Sequence, residues 1–128
     1  MAEGFEVTRS GERSEGLARG IDPAHLGRLR RGERPIERRV DLHGLTAAAA
    51  RRELTAELRA AFTEGVRCVL VVHGRGLHSE AGPVLRDGLV DWLIAAPLAS
   101  WVMAFATAQP RHGGPGASYV LLRRARRD

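Results

Sequence analysis

Residues 36–72 constrain the fold most, because they read as strand, helix and strand with joints of only a few residues. A strand-like run at 36–42 follows Pro35 and passes into Val40-Asp41-Leu42-His43-Gly44. Over 47–64, Ala50, Leu54, Leu58, Ala61 and Phe62 recur at helical spacing. Thr46 is placed to cap that helix and Gly65 to end it. Residues 66–72 are a nearly unbroken apolar, β-branched run, the pattern of a central parallel strand. Such a βαβ unit predicts two parallel strands and a right-handed crossover.

The rest of the chain extends this unit. Gly82-Pro83 opens a second amphipathic helix whose buried stripe is Val84, Leu85, Leu89, Trp92 and Leu93. Strands are predicted at 101–107 and 117–122, paired as a hairpin across the glycine- and proline-rich loop 109–116. The order is β-α-β-α-β-β in an α/β fold with a mixed four-stranded sheet, placed in a domain over 36–128. Ahead of it lies a basic arm over 1–35. Its first 20 residues are polar and predicted mobile. Asp22-Pro23 starts a short helix at about 22–31 that ends at Gly32.

The chain has 128 residues, enough for one domain with a real core, and a net charge of +5 in which all 20 basic residues are arginine. Arginine is the better fork for phosphate, and the excess points to a polyanionic partner. Cys68, the single cysteine, excludes an intramolecular disulfide and reads as a core residue. No stretch resembles a signal peptide or a membrane span, so the expected location is the cytoplasm, with no membrane partner.

Side chains alternate along a strand, so Asp41 and His43 share one face and Leu42 takes the other. A carboxylate beside an imidazole is a candidate acid/base pair, and Gly44 allows the chain to turn. The second strand ends in His73-Gly74-Arg75-Gly76, and the third leads into Arg111-His112-Gly113-Gly114-Pro115-Gly116. If these three strands run the same way, their loops converge on the edge where open α/β sheets bind ligands. Glycine-rich backbone can then turn N–H groups toward an anion, with Arg75, Arg111, His73 and His112 adding charge and donors.

Other motifs fail on spacing. A dinucleotide fingerprint from Gly74 and Gly76 needs glycine where Ser79 stands. A P-loop needs a lysine, and a hydrolase elbow needs G-x-S-x-G; neither exists. Zinc through His43, His73, His78 or His112 lacks a familiar ligand spacing. His25 reads as a surface residue, and Trp92 and Trp101 as packing.

Val40-Asp41-Leu42-His43-Gly44-Leu45, His73-Gly74-Arg75-Gly76 and Gly113-Gly114-Pro115-Gly116-Ala117, in this order and followed by Arg123, resemble the Smr (small MutS-related) domain of the stand-alone bacterial type. That resemblance implies a two-layer α/β sandwich and a nucleic-acid endonuclease acting on RNA or DNA, in some members at the ribosome. It makes Asp41 and His43 the catalytic motif and the two glycine loops the parts that hold nucleic acid. No cofactor follows from it. On RNA, His43 activates the 2′-hydroxyl without a metal, whereas DNA requires a water and leaves a divalent ion open. The alternative is a non-catalytic nucleic-acid or ribosome-binding module built from the same loops. Oligomeric state does not follow from the sequence.

Overall fold

The computed structural model describes residues 4–76 and 84–125. His78, Ser79, Gly82-Pro83, Arg126 and Arg127 lie outside them. The strands are β1 (Phe5–Ser10), β2 (Arg13–Ala18), β3 (Arg38–Asp41), β4 (Cys68–Val72), β5 (Val102–Thr107) and β6 (Ala117–Leu122). The helices are α1 (Pro23–Arg30), α2 (Ala47–Thr63) and α3, described from Val84 to Leu93. One mixed sheet holds all six strands in the order β1-β2-β5-β6-β4-β3.

The βαβ unit is present. β3 and β4 pair in parallel, with Val40 opposite Val71. The Thr46 hydroxyl accepts the Ala49 N–H at 3.1 Å, and Ala50, Leu54, Leu58 and Ala61 are buried, as the helical spacing requires. α2 and α3 cover one face of the sheet, where Val40, Leu42, Val69, Val71, Val120 and Leu122 meet Leu54, Leu58, Leu89 and Leu93. β6 is antiparallel to both β4 and β5, so β5 runs in the same direction as β3 and β4. The C-terminal ends of these three strands therefore share one edge.

Two features add to the predicted sandwich. α1 packs Leu29 on the opposite face against Leu70, Tyr119 and Leu121, so that face is partly covered too. Asp22 caps this helix through the Ala24 N–H at 2.9 Å. The sheet also has six strands rather than four, because residues 5–18 are not a mobile arm. They form a hairpin whose second strand pairs antiparallel with β5, Leu17 opposite Ala104. Its two-residue loop has Gly11 at φ +60° and no positive φ at Glu12, as a type II′ turn requires. Phe5 is buried and lies against Phe105, ring centroids 6.4 Å apart.

Cys68 is buried, and burial pushes its thiol up to about 11, so it is an inert core residue. Trp101 is half-buried and stacks on Phe62 with centroids 6.2 Å apart, a packing role as expected. No helix among the described residues is long and apolar enough to cross a membrane.

Candidate functional site

The Leu42 N–H donates to the Val72 carbonyl at 2.7 Å, which keeps the chain extended just past β3. Val40 and Leu42 therefore face the core while Asp41 and His43 are exposed. Asp41 Oδ1 lies 2.5 Å from His43 Nδ1 and also accepts the His43 backbone N–H at 3.1 Å. A carboxylate can only accept here, so Nδ1 carries the proton and the neutral ring keeps its lone pair on Nε2. The His43 side chain is 69% exposed, so that nitrogen is open to a substrate. The hydrogen bond from the His43 ring, aided by the backbone N–H, holds the Asp41 carboxyl below its ordinary value. Asp41 thus fixes both the tautomer and the direction of the ring.

The loop after β4 meets this turn. The His73 and Gly74 N–H groups both donate to the Gly116 carbonyl, at 3.0 and 2.9 Å. A Cβ added at Gly74, where φ is +80°, would lie 3.8 Å from His43 Cβ. One added at Gly116 would lie 3.6 Å from Gly74 Cα and from the Arg75 backbone nitrogen. The three loops therefore converge, with Gly74 between His43 and Gly116. Gly76 and Gly113 follow with φ of +76° and +115°, and Gly114 with +52°.

The expected anion contacts are arranged differently. The N–H groups of Gly74, Gly113, Gly114 and Gly116 donate to the carbonyls of Gly116, Pro110, Gln109 and Gly113, so they close the loops on themselves and do not face an anion. Three side chains are also turned elsewhere. His73 is 4% exposed. Its Nδ1–H donates to the Gly74 carbonyl at 2.8 Å, and Nε2 accepts from the Ser118 hydroxyl at 3.1 Å. The ring braces the loop from inside and has no free nitrogen for a phosphate. Arg111 donates to the carbonyls of Arg31 and Gly32 at 3.3 and 3.1 Å, closing the end of α1. His112 Nδ1 is hydrogen-bonded to the Tyr119 hydroxyl, which also accepts the Gln109 N–H at 3.1 Å.

Arg75 has partners that a sequence reading misses. Its Nε and Nη2 form a fork with Glu12, at 3.0 and 2.5 Å, and Arg86 Nη1 reaches the same carboxylate at 3.0 Å. Glu12 stands in the turn of the N-terminal hairpin, so the hairpin reaches the loop edge. The hydrogen bond from Arg75 lowers the Glu12 carboxyl and raises the Arg75 guanidinium. Among the described residues no three His, Cys, Asp or Glu side chains are gathered to hold a metal ion.

The buried His73 ring gives the fold a pH dependence. Burial lowers its pKa from the ordinary 6.5, so below that value the unfolded chain takes up a proton that the folded chain resists. Stability is expected to be intact above 6.5 and to fall as pH drops below it, by at most about 1.4 kcal/mol per pH unit. Denaturant midpoints measured across that range in wild type and His73→Gln check this, since the variant should lose that part of the slope.

A mixed α/β sheet with glycine loops gathered around an Asp–His pair is the arrangement that the sequence motifs anticipate for one family. Residues 40–123 match the family model for the Smr domain, so the chain belongs to the Smr domain family. The ribosome rescue factor SmrB of Erwinia tasmaniensis is 40% identical over 113 residues, covering 85% of this chain and 57% of that protein. The probable DNA endonuclease SmrA of Escherichia coli K12 is 33% identical over 113 residues, covering 88% of this chain and 57% of the relative. The chain thus spans little more than half the length of the curated relatives it matches. Among solved structures, the stand-alone small MutS-related protein YdaL of Escherichia coli superposes with a TM-score of 0.72 at 31% identity. That superposition covers 86% of this chain and 82% of YdaL.

Proposed function

We propose that this Smr domain is an endonuclease that cleaves phosphodiester bonds, with single-stranded RNA as its substrate. One observation carries the reading: Asp41 holds the His43 ring with Nε2 outward, beside a glycine loop whose backbone comes close. On RNA, Nε2 takes the proton of a 2′-hydroxyl, and the 2′-oxygen attacks the adjacent phosphorus. The bond from phosphorus to the 5′-oxygen breaks, and that oxygen takes up a proton from solvent as it leaves, while Nε2 afterwards returns its proton to solvent. The products are a 2′,3′-cyclic phosphate and a 5′-hydroxyl, with no water consumed in this step. Asp41 offsets the charge that forms on the ring, and the Arg75 guanidinium stabilises charge growing on the phosphate oxygens. A lone exposed carboxylate is a thin ligand set for a divalent ion, which favours the 2′-hydroxyl route over water attack on DNA.

The test is cleavage of end-labelled single-stranded RNA with a chelator present, beside an identical strand carrying one 2′-deoxy residue at the cut site. Cleavage only of the all-ribose strand, leaving a cyclic phosphate, is the expected result. Equal cutting of both strands would overturn the mechanism. A second reading, a non-catalytic module that binds the ribosome, draws on the name of the 40% identical relative, a rescue factor. It predicts binding with no cleavage of either strand.

Arg75 and Glu12 give a paired expectation. Arg75→Ala removes one phosphate contact, so the slope of log affinity against log salt should shrink by about 0.7 on a single strand. Glu12→Gln releases Arg75 and Arg86 from their carboxylate, so affinity should instead rise several-fold. Fluorescence anisotropy across a salt series measures both. Equal, unchanged affinities would remove Arg75 from the binding surface.

A further inference from the structure

At the sheet edge opposite Asp41 and His43, a solvent-open cavity of about 520 Å³ is lined by Arg34, Arg67, Arg123 and Arg124, together with His25 and Met103. These groups come from the start of α1, the lead-in to β3, the start of β4, the start of β5 and the end of β6. Among the described residues none of the four arginines takes part in an ion pair. Arg30, Arg38 and Arg75 are matched by Glu15, Glu64 and Glu12, while Arg13, Arg39 and Arg51 also have no ion partner among the described residues; what sets the four apart is that they share one opening. The near carboxylate, Glu37, accepts the N–H groups of Arg67 and Cys68 through Oε1 at 2.9 and 3.0 Å, and its charge offsets part of that on Arg67.

The cavity is held in shape as well as charged. Arg67 Nε donates to the Leu122 carbonyl at 2.8 Å, and Arg123 Nε to the Val102 carbonyl at 3.2 Å. Arg67 Nη2 also reaches Met103 Sδ at 3.6 Å, so each guanidinium is anchored, with Nη1 of Arg67 and both Nη groups of Arg123 left for a ligand. Like charges so placed repel: burial first, then Arg124 and Arg34, lowers the pKa of Arg67. His25, expected on the surface, is half-buried, and its Nδ1 is a buried polar atom without a hydrogen-bond partner among the described residues. Four arginines without an ion partner among the described residues, two of them anchored to carbonyls, around one opening suit an anion with several oxygens.

We infer that the cavity lined by Arg34, Arg67, Arg123, Arg124 and His25 is a second phosphate-binding site, on the edge of the sheet away from the Asp41–His43 pair. Its ligand is a phosphate group, either in a polynucleotide backbone or in a free polyphosphate. The inference goes beyond the cleavage reading and does not depend on it.

The test uses the intact chain. The Arg67 and Arg123 Nε–H protons are hydrogen-bonded to carbonyls and serve as NMR reporters. Arg34→Gln with Arg124→Gln removes two guanidinium groups that make no hydrogen bond among the described residues, and a thermal melt verifies the fold. Pyrophosphate, against sodium chloride of equal ionic strength, is expected to move both reporters, with at least tenfold weaker binding in the double variant. For a single-stranded oligoribonucleotide, loss of two contacts should reduce the salt slope by about 1.4. That reduction identifies a polynucleotide backbone as the source. An unchanged slope beside a retained pyrophosphate response identifies a free polyphosphate. Reporters that respond to neither probe beyond matched salt overturn the site and leave a solvated charge cluster. If pyrophosphate moves the reporters but the chain binds no oligonucleotide, the cleavage reading falls and this site stands.

Discussion

His43→Ala is expected to lower the single-turnover rate of RNA cleavage by roughly 10²–10⁴-fold, the usual contribution of one acid/base group. Binding should stay nearly intact, because the ring is exposed and the neighbouring loop is set by backbone hydrogen bonds from His73 and Gly74 to Gly116. The fold should also be unaffected, since neither Asp41 nor His43 belongs to the buried core. Asp41→Asn keeps an oxygen for the ring N–H but removes the charge. Asp41 stays ionised below the ordinary carboxylate range, so that charge is present in any assay near neutrality. The Asn variant should therefore be slow while retaining the ring's direction. If the pair acts as a unit, the double variant is little worse than His43→Ala alone. Saturating protein keeps weak binding from passing as lost chemistry. A near wild-type rate for His43→Ala would remove the chemical role of this pair and leave the binding module as the working reading.

The βαβ frame was legible because local and global signals agree there. The stripe through Ala50, Leu54 and Leu58 has one period, and the run 66–72 has a single buried fate. Loop convergence was legible for the same reason: a hairpin over 101–122 fixes the direction of β5 relative to β4 once β6 pairs with both. Partners distant in sequence were not legible. Whether His73 faces a phosphate or the interior depends on Ser118, 45 residues away. Arg111 and His112 are drawn to the end of α1 and to Tyr119 by packing of α1 that no local pattern encodes. The hairpin was hidden for another reason. Only Phe5 of β1 is buried, and β2 is polar until Gly16, so composition reads as an arm. Its order comes from backbone pairing with β5, and a hydrophobic pattern does not record backbone pairing. The one local sign was Gly11 before Glu12, a two-residue turn signal.

That hidden pairing sets the largest expected effect on stability. Phe5→Ala should destabilise the domain by roughly 3–5 kcal/mol, the usual cost of truncating a buried phenylalanine. Phe5 packs on Phe105, and Val7 joins the same cluster, so the loss is felt in the core shared with α2 and α3. Glu6→Ala, on the exposed side of the same strand, should stay within about 0.5 kcal/mol. Removing residues 1–19 goes further. It takes away Phe5, Leu17 and Ala18 and leaves the β5 backbone opposite Leu17 without its partner. Burial of the Phe and Leu side chains alone is worth roughly 3–6 kcal/mol, a large part of the 5–15 kcal/mol that holds an ordinary domain together. A bare edge strand also invites pairing between chains, so the truncated protein should aggregate at lower concentration. The same deletion removes Glu12 and frees Arg75, so fold stability and nucleic-acid affinity should move in opposite directions. Urea midpoints for Phe5→Ala and Glu6→Ala, with light scattering of the truncated chain, measure these effects. A midpoint for Phe5→Ala that matched Glu6→Ala would show that β1 contributes nothing to the core and would return that strand to a solvated arm.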